Sequence, residues 1–344
     1  MNDVHALVAD SVDRMLAQHA GSADDPDAPL RLWQAAIDAG LTQVLAADDG
    51  VFDTDALRDA VTILRRSARA GAPMPVAEGM LAGWLTARAG WPASDEHSTV
   101  ALDIEGPGTG TSSTATLAWV PWGRHAKTVM TLASTGDSTR IARYVAPAQA
   151  HEPHHNLAGE PRDTLHFAAA AVTSDRSVDA TEVLALAALL RAAQMTGAME
   201  GALELALEHA KTRQQFGRPI GNFQAVQQLL ARHAGQVAAA TAAVDLAVDR
   251  WNTPSAVFHA AIAKSRAGEA AGAAAEYAHQ VIAAMGFAME HPLQRVTRRL
   301  WAWRDDYGNE AYWNERIGAR ILAAGADRAW LALIDDPALM ELEP

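Results

Sequence analysis

The sequence contains no cysteine. That removes disulfides, thiolate nucleophiles, thiolate zinc sites and cysteine-ligated iron–sulfur clusters together. Basic residues are in deficit: 28 Lys and Arg face 41 Asp and Glu, a formal charge of −13. This balance argues against nucleic acid as the main partner, because neutralising a phosphate backbone needs a net basic face. Long apolar runs are missing too. The longest, Val183–Leu190, falls far short of the ~20 residues that a bilayer span requires. Asp3, His5, Asp10 and Asp13 interrupt the first turns, and no basic segment precedes an apolar core there, so no export signal is expected. What is present is globular composition: 344 residues, 49% apolar and 20% charged, enough for two or three domains. The expectation is a soluble cytoplasmic protein with no membrane span and no nucleic-acid partner.

Texture changes twice along the chain, which predicts a mainly α protein with a small central β domain. Residues 1–97 have helical spacing. Asp25-Pro26-Asp27 precedes a helix through Leu30, Trp33, Ala36 and Ile37; Thr54 and Asp55 open a second; a third runs through Glu78, Leu81 and Trp84 to near Gly90. Residues 98–177 carry short β-like runs at Thr99–Ile104, Thr114–Val120, Thr128–Leu132 and Arg140–Val145, separated by Gly, Pro, Asp and Ser. Residues 178–344 are helical. Asp179-Ala-Thr-Glu182 is a capping box for a helix reaching about Arg213, and Asn222 is placed to cap the next, which ends near Trp251. Ser255 starts a third helix to about Ala284, and a last one covers roughly Tyr312–Leu333. Three long helices and a shorter fourth suit an antiparallel bundle.

Three segments are candidates for chemistry. His151-Glu-Pro-His154-His155 groups three imidazoles, but adjacent side chains in an extended segment point apart, so a solvated loop is expected rather than a metal site. Gly106-Pro-Gly-Thr-Gly110 precedes another strand-like run and not a helix, which suits a turn and not a phosphate cradle. Thr212–Gln227 is a helix end, a tight Gly-Arg-Pro turn and a helix start. Its arginine could simply be exposed on a surface hairpin. Alternatively, Arg213, Gln224 and Gln227 could hold a phosphate with guanidinium and amide donors.

The same stretch carries a resemblance. Arg213-x-x-Phe216-Gly217-x-x-Ile220-x-x-Phe223-Gln224-x-x-Gln227 resembles the signature of acyl-CoA dehydrogenases. About 55 residues on, Gln280-Val-Ile-Ala-Ala-Met-Gly286-Phe287, then Glu290-His-Pro292-Leu293 and Arg298-Arg299, is similar to the family's Gln-x-x-Gly-Gly-x-Gly-Phe segment. Pro73-Met-Pro-Val-Ala-Glu-Gly-Met-Leu81 agrees as well. The resemblance implies an N-terminal helical domain, a short β domain and a C-terminal four-helix bundle. It implies FAD at a subunit interface, with Arg213 and Phe216 contacting its ADP half across the dimer, Gln224 near it, and Gln280 and the turn at Ala284 approaching the ADP portion bound by the partner. The implied reaction is α,β-dehydrogenation of an acyl-CoA thioester, in which a carboxylate takes the α-proton and the flavin accepts a hydride.

Departures from the pattern shape the expectation further. The family's Gly-Gly pair is Ala283-Ala284, and Trp119 and Trp122 stand in a Trp-Val-Pro-Trp context that does not align with the family's flavin-flanking strand. Such a partial site resembles the degenerate smaller subunit of heterotetrameric, steroid-degradation type acyl-CoA dehydrogenases. The implied partners are an acyl-CoA substrate, a second acyl-CoA dehydrogenase-like subunit (or a second copy) and an electron-transfer acceptor. The other class of reading is a structural or regulatory subunit that binds no flavin. Counting from Gly286-Phe287, the family's catalytic Glu falls on Tyr307, and its alternative position falls near Ala187. Glu310 and Asp306 flank Tyr307 as the remaining candidates, so the base is expected from the partner chain.

Overall fold

The computed structural model describes residues 2–19, 25, 27–47, 50–103, 115–135, 137–168 and 171–325. The Gly106–Gly110 segment and the expected end of the last helix lie outside them. Four helices come first: α1 (Asn2–His19), α2 (Ala28–Asp38), α3 (Thr54–Arg69) and α4 (Val76–Arg88). The carboxylate of Asp53 caps α3 by accepting from the Ala56 N–H at 2.8 Å. α4 is apolar nearly all round, and every residue from Val76 to Thr86 is buried, as a helix without a polar face requires. Its one carboxylate, Glu78, is buried with the rest.

Two small sheets follow. One has the order β1-β3-β4-β7, from β1 (Ser98–Ala101), β3 (Thr128–Thr135), β4 (Ser138–Val145) and β7 (Val172–Ser177); β1 and β3 are parallel and the other pairs antiparallel. The other is β2 (Ala115–Pro121), β6 (Arg162–Phe167) and β5 (Ala150–Glu152), antiparallel throughout. The four expected runs became β1 to β4. Three strands were not anticipated, because β5 to β7 are short and rich in His, Asp and Arg, without the β-branched alternation that marks a strand. The His151 segment is therefore only partly loop, since His151 and Glu152 pair with β6.

The helical remainder is α5 (Ala180–Thr212), a hairpin of β8 (Gln214–Gln215) and β9 (Arg218–Pro219), then α6 (Gln224–Asp249), α7 (Ala256–Ile282), α8 (Pro292–Asp305) and α9 (Glu310–Ala324). Asp179 caps α5 by accepting from the Thr181 N–H. Asn222 does not cap α6: it lies in a 3-10 turn over Ile220–Asn222, and Phe223 holds the capping position without a side-chain bond. α8 was not anticipated as a helix. Its sequence is dominated by arginine and tryptophan, and its buried stripe of Leu293, Val296, Leu300 and Trp303 is interrupted by charges that the fold also buries.

α5 is the axis of the molecule, buried on all sides from Val183 to Met199. It meets α3 through Gly197 and Gly201, which lie against the Arg65 and Arg69 carbonyls. A Cβ on Gly197 would overlap the Arg65 backbone, so close helix approach depends on its absence. Gly197→Ala should accordingly cost about 1–3 kcal/mol or more in urea unfolding. Gly318→Ala, in α9 with nothing within 4 Å of its Cβ position, should stabilise by ~0.5–1 kcal/mol. Equal effects at the two glycines would contradict this packing.

Candidate active site

A cavity of about 1150 Å³ opens between the two sheets, the start of α5 and the α8–α9 turn. Its walls are mostly apolar and aromatic, with Trp119, Leu132, Leu184, Trp301 and Trp313 among them, and Arg162, Asp306 and Tyr307 reach it from the interior. Trp119 is placed by local strain. A register shift between Leu117 and Val120 bulges the strand, Trp119 takes a left-handed φ of 54°, and its indole stays 61% exposed at the cavity. Bulges and strained residues of this kind re-aim side chains near functional sites. Trp122 is instead buried beside Trp33, with ring centroids 6.1 Å apart.

Behind the cavity runs a buried ionic network that joins all three groups of elements. Arg191 of α5 donates to Glu78 of α4 and pairs with Asp306 at 3.1 Å. Asp306 also accepts from Arg162 of β6 at 3.0 Å. Arg162 reaches Glu160 at 3.5 Å, and Glu160 accepts from Arg299 and Trp303 of α8, both at 3.1 Å. Arg299 finally donates to the Gly71 carbonyl after α3, at 2.7 Å. Burial alone would raise the Asp306 and Glu160 carboxyls, but the facing guanidiniums outweigh it and hold both below the usual carboxylate range.

These contacts decide what the candidate acids can do. Asp306 is at the cavity but is already engaged by two arginines, which disfavours proton uptake. Glu310 does not line the cavity. It accepts from Arg304 at 2.8 Å, and that bond outweighs burial and lowers its carboxyl. Tyr307 lines the cavity, and burial followed by the charge of Glu78 raises its phenol. Ala187 is buried in α5 without a titratable group.

The other sequence candidates sit at the far end of α5. Arg213 ends the helix, and Phe216-Gly217 form a two-residue hairpin loop with positive φ at both positions, the I′ pattern that matches strand twist. Phe216 is 92% exposed. Arg213 makes no ion pair among the described residues, and Gln224 is exposed at the first turn of α6. The structure therefore brings Arg213, Phe216 and Gln224 together on one projecting element. Gln227 instead donates to the Gly221 carbonyl at 3.0 Å.

Gln280 and Ala284 are exposed near the α7 terminus, and no described contact joins them to the hairpin. Ala283 keeps a glycine-type backbone there, with φ 58° and ψ −146°, which an L-residue adopts only under strain. The donor set of the hairpin fits an anionic cofactor carrying a flat ring. The turn at 283–287 offers less: no Lys or Arg occurs between Arg266 and Arg295, and Glu276 and Glu290 are exposed. Among the described residues no group of three metal-ligand side chains converges. Glu152 lies 3.3 Å from His166 and 3.8 Å from His154.

Sequence reasoning missed Glu78, Glu160, Arg162, Arg191 and Arg299 as a set, because Glu78 and Arg299 lie in two separate stretches of the resemblance and the other three in none. A signal was present: Glu78 and Arg191 are lone charges in otherwise apolar helical stretches, where burial demands a partner.

Residues 178–322 match the family model for the acyl-CoA dehydrogenase C-terminal domain. A chain of the ChsE4–ChsE5 complex of Mycobacterium tuberculosis superposes with a TM-score of 0.79 at 26% identity, covering 94% of this chain and 98% of that one. A steroid acyl-CoA dehydrogenase variant, Tcur3481–Tcur3483, gives a TM-score of 0.79 at 20% identity over 95% of this chain and 99% of that one, a likeness of fold alone. The acyl-CoA dehydrogenase FadE27 of Mycobacterium tuberculosis is 30% identical over 227 residues, 58% of this chain and 61% of that protein. The matched part is as little as 20% of the curated relatives' length. No helix among the described residues is long and apolar enough to cross a membrane.

The network makes a specific thermodynamic prediction. Arg191→Met strands Glu78 and part of Asp306 without a counter-charge, and should cost ~3–5 kcal/mol in chemical denaturation. Adding Glu78→Leu should recover much of that loss, whereas additive penalties would show that the two groups are not coupled.

Proposed function

We propose that this chain, whose residues 178–322 belong to the acyl-CoA dehydrogenase family, is one subunit of a flavin-dependent acyl-CoA dehydrogenase. In this reading the assembly oxidises a bulky or steroid-derived acyl-CoA at its α,β bond, in the cytoplasm, and passes electrons to a separate acceptor. The partner is a second acyl-CoA dehydrogenase-like chain, a reading supported by the fold likeness to the two-chain ChsE4–ChsE5 complex. The observation that carries the proposal is the hairpin: an exposed Arg213 that forms no ion pair among the described residues, and a Phe216 that is 92% exposed.

FAD, when bound, supplies the hydride-accepting chemistry. The residues of this chain bind and orient it. Arg213 would hold a phosphate of the ADP half by charge-assisted hydrogen bonds. Phe216 would offer a ring edge or face to the adenine, and Gln224 a further amide donor. Gln280 and the turn at Ala284 would approach the ADP portion bound by the partner, with backbone and amide groups only. Proton removal is assigned to the partner, because Asp306 is held by two arginines and Glu310 by Arg304.

In the reconstituted assembly, Arg213→Ala should weaken FAD binding by ~2–3 kcal/mol, measured by flavin fluorescence titration. A change within about ±0.5 kcal/mol would favour the structural-subunit reading instead. Glu310→Gln and Asp306→Asn should leave kcat within about tenfold in a dye-coupled assay, since losing a true general base costs ~10²–10⁴-fold. A collapse of that size with flavin retained would return the base to this chain.

A further inference from the structure

The α8–α9 turn, which brings Asp306 and Tyr307 to the cavity, is a strained piece of backbone. Tyr307 has φ 58° and Gly308 φ 92°. A left-handed tyrosine costs on the order of 1–2 kcal/mol, so other contacts must hold it. Trp313 supplies one, donating from its indole N–H to the Tyr307 carbonyl at 3.0 Å. The other comes from α7, which packs against both α8 and α9. Lys264 of α7, 1% exposed, donates from Nζ to the Arg304 carbonyl at 2.7 Å and to the Gly308 carbonyl at 2.6 Å.

These two carbonyls bracket Asp305, Asp306 and Tyr307. We propose that Lys264 is a positioning residue for the cavity, clamping both ends of the turn and thereby fixing where Asp306 and Tyr307 stand. Neither carbonyl belongs to a residue that would otherwise define the cavity, so the lysine acts through the backbone and touches no ligand. The assignment concerns the shape of the cavity and stands or falls independently of the flavin reading.

The charge balance around the clamp gives it a pH signature. Asp306, Glu310, Asp305 and Arg191 face the ammonium, and burial outweighs the carboxylates, so Lys264 is lowered to about 8. A neutral amine keeps two N–H donors for its two carbonyls. Unfolded chain, or a turn opened to water, holds the proton until its ordinary value near ~10.4. Closing the turn is therefore increasingly favoured as pH rises from about 8 to about 10, because the open state binds the extra proton.

The sequence has three lysines, Lys127, Lys211 and Lys264, so lysine-selective isotope labelling resolves the group in the full chain. One side-chain resonance should titrate near pH 8 and vanish in Lys264→Met. A resonance lost in Lys264→Met that titrates above pH 10 would overturn the clamp. Amide hydrogen exchange provides the second arm. Lys264→Met should raise exchange of residues 304–310 at least tenfold while α3 is unaffected. Combining it with Tyr307→Asn, a residue that tolerates positive φ, should restore protection to within about threefold. Uniform loss of protection across the molecule, with no rescue by Tyr307→Asn, would mean that Lys264 only packs.

Discussion

The side chain of Arg191 is the contact on which the remainder of the molecule depends. It is fully buried in α5 and touches Glu78 from the N-terminal helices and Asp306 from the α8–α9 turn. Its guanidinium also lies over the rings of Trp303 and Tyr307, 5.3 and 5.5 Å from their centroids. A charge so placed is tolerated only if its counter-charges arrive with it. Apolar burial alone would allow α4, α5 and α8 to slide or rotate against one another. The ionic chain onward through Arg162, Glu160 and Arg299 extends the same constraint to the sheet and to the loop after α3.

This arrangement separates two kinds of polar residue. Among those behind the cavity, Asp306 and Glu160 are held in their charged forms by facing guanidiniums and so are poor at taking up a proton, although Asp306 lines the cavity. Those at the far end of α5 are the reverse: Arg213 and Phe216 are exposed and make few contacts of their own. A chain that neutralises its interior acids and presents an exposed arginine and phenylalanine outward is suited to complete a site on another chain. That physical division is the basis for assigning the hairpin to a shared cofactor and the base to a partner.

Much of the architecture was legible. The capping aspartate at 179, the opening of α3 at Thr54, the Gly-Pro stop after Thr212 and the apolar spacing of α2 are local signals, and each fell within a few residues of its element. Short polar strands such as β5 and β7 were not legible, because their pairing partners and not their own residues stabilise them. α8 was hidden for a related reason: its arginines read as surface, yet Arg299 is buried against Glu160. The hairpin residues could be found from a motif. The network could not, because its members lie as far apart as Glu78 and Asp306 and meet only after folding. Ala283 is the instructive intermediate case, where the residue type departs from glycine but the backbone keeps the glycine shape.

Whether this chain contributes part of a cofactor site that another chain completes can be read from the visible absorption spectrum of the chain purified alone, compared with that of the chain purified together with its partner, at equal concentration. No flavin band is expected for the chain alone, and a yellow assembly once the partner is present. A flavin band in both samples, at one flavin per copy of this chain, would contradict that expectation.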